Sequence, residues 1–194
     1  MKRAYIIHGW GGNPNEAWLV WVKNNLEKNG FGAVIPEMPD TWHPKISEWV
    51  NKLNESVGSA DADTYFIGHS IGCQAIMRYL EKLSESQKIG GAIFVAGWFN
   101  LTDETWDENY TKEIADEWIN TPINSEKIRQ HSNKFVLINS DNDPYVPLSD
   151  ADLFKNNLGA KIIMLNNKGH IAGDDGVTEL PVVLEELLKM ANED

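Results

Sequence analysis

In FIGHSIGCQA, residues 66–75, one serine stands between two glycines, giving the spacing Gly68-x-Ser70-x-Gly72 at the end of an apolar run. Tyr65, Phe66 and Ile67 read as a strand before it, and Ile71, Ala75, Ile76, Tyr79, Leu80 and Leu83 recur at helical spacing after it. That is the strand-turn-helix setting in which a nucleophile is held on a sharp elbow. A serine in a strained turn leaves little room two residues to either side, so glycines there let strand and helix approach closely. The start of a helix also favours a developing negative charge, through its free amides and its dipole. The plainer alternative is a serine that only caps a helix.

An unassisted hydroxyl is a poor nucleophile near neutral pH, so the chemistry requires a histidine base and a carboxylate to orient it. At such elbows the three follow the chain order Ser, Asp or Glu, His. Of the five histidines, His8 and His43 precede the serine, His69 adjoins it and is expected to point to the other side of the elbow, and His131 precedes the best carboxylates. His170 remains, in NNKGHIAG, a loop directly after the last apolar run, where Gly169 permits an unusual backbone angle. For the carboxylate, NSDNDPYVP follows the apolar run KFVLIN, so Asp141 and Asp143 both emerge at one sheet edge. Pro144 restricts the residue before it to an extended conformation and favours Asp143, whereas Asp141 suits a side-chain turn within the loop. Donors for an oxyanion are expected from the glycine-rich IIHGWGGNP and from the elbow itself, as the N–H groups of Trp10 and Ile71. The first of these loops lacks the lysine of a phosphate-binding loop and the spacing of a dinucleotide fingerprint. Its His8 is expected to hold the loop by hydrogen bonds rather than to move protons.

The elements that must carry these residues alternate. Short runs rich in Ile, Val, Phe and Tyr predict strands over 3–7, 32–35, 63–67, 90–95, 134–139 and 160–164, and apolar residues at helical spacing predict helices over 14–29, 44–58, 71–85 and 177–191. Pro44 is expected in a helical first turn, and Pro181 is tolerable only in one. Alternation of this kind implies an α/β fold, a mainly parallel sheet of about six strands with helices on both faces. Residues 97–131 break the rhythm with acidic and aromatic content (Trp98, Phe99, Trp106, Tyr110, Trp118) and read as two helices, a possible small cap. No repeat or flexible linker divides the chain, so 1–194 reads as one domain.

Composition narrows the function classes. A hydrophobic content of 42%, a charged content of 24% and no apolar stretch near the roughly 18 residues of a membrane span predict a soluble protein. The net charge of −12 and the absence of basic clusters argue against nucleic acid and against a membrane surface as partners. The apolar run after Met1-Lys2-Arg3 is too short for a signal-peptide core, and a lone Cys73 makes no internal disulfide, so a cytoplasmic setting is expected. Cys73 itself reads as a buried small side chain.

Taken in order, HGWGG, GHSIGC, SDNDPYVP and GHI resemble the small serine hydrolases of the α/β-hydrolase superfamily, of the type of the retinoblastoma-binding serine hydrolase and the bacterial YdeN-like proteins. The resemblance runs from the first strand to near the chain's end. It implies a compact hydrolase with strands in the spatial order 2-1-3-4-5-6, and Ser70 as nucleophile, His170 as base and Asp143 as orienter. The expectation is an enzyme that cleaves small carboxylic esters or thioesters through an acyl-serine intermediate, with no metal or cofactor and with Trp10, Trp42 and Trp98 lining the substrate pocket. Another class remains open, a protein-binding module on the same fold with weak or no catalysis, and so does other chemistry on the scaffold, such as a cofactor-free peroxidase or a lyase.

Overall fold

The computed structural model describes residues 1–105 and 110–192, with the backbone alone for Tyr110 and Thr111. Six strands, β1 (Arg3–Ile7), β2 (Gly32–Val34), β3 (Thr64–His69), β4 (Gly91–Val95), β5 (Phe135–Ser140) and β6 (Lys161–Leu165), form one sheet in the order β2-β1-β3-β4-β5-β6. Every neighbouring pair is parallel. This is the expected α/β architecture, with each expected strand present to within two residues at either end.

Parallel strands need crossovers, and helices α1 (Ala17–Lys28), α2 (Ile46–Val57), α3 (Ile71–Leu80), α4 (Tyr110–Asn120), α5 (Ser125–His131), α6 (Asp150–Leu158) and α7 (Pro181–Asn192) lie between or after them. The period-2 alternation of the strands splits the apolar core in two. Ala4 and Ile6 pack with Ile67, Val95 and Ile138 against Trp18, Leu19 and Val22 of α1 and Val183 and Leu187 of α7. Tyr5 and Ile7 pack with Phe66, Phe94 and Leu137 against Trp49 of α2, Ile76 of α3 and Phe154 of α6. Because both faces are covered, the central strands are apolar at nearly every position instead of alternating apolar and polar.

Several helix boundaries differ from the sequence expectation, each for a local reason. α1 begins at Ala17 because Asn13 accepts from Asn15 N–H and Glu16 reaches back to Asn13 N–H, making a turn where helix was expected. Pro44 precedes α2 rather than entering it: Lys45 is extended, and the Pro44 carbonyl accepts from the Trp118 indole N–H at 2.8 Å. α3 stops at Leu80, followed by tight bonds from Lys82 to Tyr79 and from Leu83 to Leu80, and by the Ser84–Gln87 side-chain turn. α7 starts at Pro181, where a missing N–H costs nothing. α6 was not expected: its sequence DADLFKNNL buries only Asp150, Phe154 and Leu158, a stripe too narrow to stand out, although Gly159 ends it in the left-handed conformation at φ 69°. Residues 97–131 hold a 3-10 turn at Asp103–Thr105 and then α4 and α5, two helices as expected, while Trp106 falls outside the described residues.

Sheet order positions the site. The chain moves from β1 to β2 on one side and then to β3 on the other, so the loops after β1 and β3 diverge and leave a crevice at the carboxyl ends of the strands. Gly9 and Trp10 follow β1, and Ser70 follows β3.

Candidate active site

Ser70 sits between β3 and α3 at φ 52°, ψ −120°, a conformation that side-chain-bearing residues rarely adopt. Its own N–H donates to the Val95 carbonyl at 2.9 Å, tying the elbow to β4. The flanking glycines are steric necessities. A Cβ on Gly68 would lie 2.7 Å from Cys73 N in α3, and one on Gly72 would lie 2.5 Å from the Ile7 carbonyl of β1. Ser70 makes no cap hydrogen bond through its side chain, which removes the plain helix-cap reading. Ile71 opens α3, so its N–H is one of the first-turn amides that an α-helix leaves without an internal partner.

The loops after β5 and β6 are laced together residue by residue. The Ser140 hydroxyl accepts from Lys168 N–H, Asp141 accepts from Asn167 N–H, and Asn142 accepts from Gly169 N–H, at 2.8, 2.8 and 2.9 Å. The last rung is side chain to side chain: His170 Nδ1 lies 2.9 Å from Asp143 Oδ2, in a pair whose carboxylate side chain is 1% exposed and whose imidazole is 14% exposed. Asp143 Oδ1 in turn accepts from the N–H groups of Tyr145 and Val146, which fixes the carboxylate from behind. With a carboxylate oxygen accepting at Nδ1, the imidazole carries its ring proton there and leaves the Nε2 lone pair free. Asp143, not Asp141, thus meets His170. Asp141 does make a side-chain-to-backbone bond, but across to the next loop rather than within its own.

Ser70 and His170 line one cavity of about 760 Å³, and Trp10, Trp42, Trp98 and Ile71 line it with them. Trp10 donates its indole N–H to the Trp42 carbonyl at 3.0 Å, and Trp42, 68% exposed, lies over Gly11. Trp98 is almost fully buried and belongs to the core as well as to the wall. Three carboxylates also line the cavity, Glu16, Glu104 and Asp174, with no lysine or arginine among its described lining residues. Burial raises the Glu16 carboxyl above its ordinary value, and nearby Asp174 adds to the rise.

His8 is buried and holds its loop as expected, with Nδ1 2.9 Å from the Gly9 carbonyl and Nε2 accepting from Met38 N–H; burial lowers its affinity for a proton. His69 does not leave the site. It packs edge-on against Trp18, yet the His170 loop crosses that same face, so the two imidazoles lie 5.2 Å apart and both border the cavity. His131 is bonded to the Gln87 carbonyl and His43 to Asp40. Cys73 is buried, which pushes its thiol far above the ordinary value and makes it inert. Among the described residues no three His, Cys, Asp or Glu side chains converge as metal ligands, and no helix is long and apolar enough to cross a membrane.

Besides the carboxylates of the cavity, Tyr145 and Asp150 escaped the sequence reading. Tyr145 lines the cavity with its ring edge-on to His170 at 5.1 Å, and its place two residues after Asp143 was the available signal. Asp150, fully buried at the start of α6, accepts from the N–H groups of Phe99 and Asn100 and so anchors the strand of chain that leads from Trp98 over the cavity. Its partners are 50 residues away or more, and no local pattern announces them.

Comparison with known proteins places the chain in a family. The serine hydrolase family model matches residues 4–189. The YdeN protein of Bacillus subtilis (strain 168) is 30% identical over 186 residues, 96% of this chain and 94% of that one. The serine hydrolase RBBP9 of Rattus norvegicus is 29% identical over 192 residues, 97% of each. The crystal structure of the ydeN gene product from B. subtilis superposes with a TM-score of 0.90 at 29% identity over the whole of both chains. Est1E from Butyrivibrio proteoclasticus, at 18% identity and TM-score 0.73 over 99% of this chain and 89% of its own, shares the fold. The chain belongs to the serine hydrolase family and is a hydrolase of the α/β type.

Proposed function

Starting from that membership, we propose that this hydrolase cleaves small carboxylic esters, or thioesters, through an acyl-serine intermediate, with Ser70 as nucleophile, His170 as general base and Asp143 as its orienter. The observation that carries the reading is the 2.9 Å contact of His170 with the buried Asp143 carboxylate, His170 itself lining the same cavity as a serine on a strained elbow. His170 Nε2 takes the proton as Ser70 Oγ bonds to the substrate carbonyl carbon. The carbonyl oxygen becomes an oxyanion, and the N–H groups of Trp10 and Ile71 are the donors assigned to it. As the tetrahedral intermediate collapses, the bond to the leaving alcohol or thiol breaks and His170 returns the proton to it. Water then repeats the sequence on the acyl-serine and releases the carboxylic acid. Asp143 keeps the imidazole in the correct tautomer and stabilises it while protonated.

Trp10, Trp42 and Trp98 supply apolar wall for the acyl or alcohol group, and the segment after β4 adds Leu101, Glu104 and Thr105 to that wall. The carboxylates of Glu16, Glu104 and Asp174 disfavour an anionic substrate, so a small neutral ester fits best. Esterase-like neighbours in fold support a small-molecule substrate, and the lone inert Cys73 suits a reducing, cytoplasmic setting.

The test is covalent labelling with a fluorophosphonate probe beside turnover of p-nitrophenyl esters of increasing chain length. Labelling and ester turnover lost together in Ser70→Ala are the expected result. Folded wild-type protein that neither labels nor turns over these esters would overturn the reading in favour of a binding module, and products other than acid and alcohol would point to other chemistry on the scaffold.

A further inference from the structure

The site contains a buried, titratable side chain for which the proposed chemistry has no use. His69 immediately precedes Ser70, is nearly fully buried and borders the cavity, yet it takes no part in the relay. We propose that His69 is a positioning residue for the base, a neutral hydrogen-bond donor that fixes the backbone carrying His170. The proposal rests on the assignment of Ser70 and His170 made above.

His69 Nε2 lies 3.0 Å from the His170 carbonyl oxygen. A carbonyl only accepts, so Nε2 carries the ring proton and Nδ1 holds a bare lone pair. Nδ1 is buried with no hydrogen-bond partner among the described residues, facing Gly9, whose added Cβ would come within 3.0 Å of it. An orphaned buried nitrogen costs stability that a phenyl ring of similar shape would not. One donor contact, to the His170 carbonyl, is what the imidazole gives in return.

The next carbonyl is held in the same manner. Trp18 donates its indole N–H to the Ile171 carbonyl at 2.8 Å, and the Trp18 ring stands edge-on to His69 at 5.7 Å. Two consecutive peptide units, 170 and 171, are thus gripped from β3 and α1. The grip falls where the backbone needs it: Ile171 has φ 56°, a left-handed conformation that a β-branched residue adopts only under constraint from its surroundings. On the other side of the ring, Asp143 holds Nδ1 of His170. The carboxylate sets the tautomer, and His69 with Trp18 set where the ring hangs. A shift of even 1 Å in that anchor moves Nε2 relative to the elbow, and such displacements are costly for rate.

Neutrality is part of the role. A charged ring 5.2 Å from His170 would oppose the imidazolium that forms when Ser70 attacks. Burial, with the neighbouring His170 adding to it, pushes the His69 imidazole down to about 3, so it donates without charge wherever the base operates.

The experiment compares p-nitrophenyl acetate kinetics and the fluorophosphonate labelling rate for wild type, Ser70→Ala, His69→Phe, His69→Leu and His69→Gln, the last able to donate from its amide nitrogen. His69→Phe is expected to lower kcat and the labelling rate together, by ~10- to 100-fold, with KM within about twofold, because only alignment is lost. His69→Gln is expected to recover most of that loss. If the Phe variant does not fold, His69→Leu takes its place against Gln. A kcat unchanged in the variant without a donor, or a Gln variant no faster than it, overturns the inference while Ser70-dependent labelling leaves the catalytic reading standing. Absence of Ser70-dependent labelling in wild type overturns both.

Discussion

The two sides of the cavity are built differently. On the β5–β6 side, four consecutive residues, Ser140 to Asp143, each bond to one of four consecutive residues, Asn167 to His170, and the carboxylate at the end of this ladder is buried and held from behind by two amides. On the β1–β2 side, the wall depends on Trp42, which is 68% exposed and is tied in by the Trp10 indole and by a bond from Gly11 N–H to the Thr41 carbonyl. One side is over-determined and the other adaptable. The first suits a group that must hold a proton relay to within tenths of an ångström, and the second suits recognition of acyl groups that vary.

Substitutions on the two sides should therefore fail in different ways. The largest effect is expected from Asp143→Asn, which presents a donor or a weaker acceptor to His170 Nδ1 and should lower kcat by ~10³- to 10⁴-fold with the fold intact. Asp141→Asn removes only the charge from a bond to a backbone amide and should cost ~10-fold or less. Steady-state ester kinetics on both decide the matter, and the reverse ranking would mean that the ladder does not define the relay.

Acid should weaken the laced side through His69. Its pKa is about 3 folded against 6.5 ordinarily, so between those values the unfolded chain binds more protons and stability falls as pH falls. The contribution is complete above 6.5 and is lost with a slope of up to about 1.4 kcal/mol per pH unit below it. Urea midpoints measured at pH 7, 5.5 and 4.5 should drop more steeply for wild type than for His69→Gln, in which the His69 contribution is gone while those of His8 and Glu186, which act in the same direction, remain in both proteins. Parallel slopes would show that His69 is not held neutral.

The smallest effect belongs to the adaptable side. Trp42→Ala should raise KM for longer p-nitrophenyl esters ~3- to 10-fold, leave kcat within about twofold and leave the melting temperature nearly unchanged, since the ring is mostly in water. A fall in kcat instead would place Trp42 with the rigid side and erase the contrast.

Much of this was legible because it is written locally. Gly68, Ser70 and Gly72 carry their elbow in five residues, Pro144 constrains Asp143 from the adjacent position, and the strands announce themselves by unbroken apolar runs. The helix α6 did not, since its buried stripe is three residues and one of them is an aspartate whose partners are Phe99 and Asn100. His69 was misplaced for a related reason. Alternation along a strand says which face a side chain takes, but not which loop from elsewhere in the chain crosses that face.

What the sequence determined by itself, then, is the alternation of elements, the elbow and the short list of groups able to do acyl-transfer chemistry, because steric demand and hydrophobic period act between neighbours in the chain. Only the tertiary structure decided that Asp143 rather than Asp141 meets His170, that Tyr145 and three carboxylates join the cavity, and that His69 grips the loop of the base. Those contacts join residues 27 to 101 positions apart. Their existence depends on strand order and loop packing, which place distant side chains within hydrogen-bond reach and which no local pattern encodes.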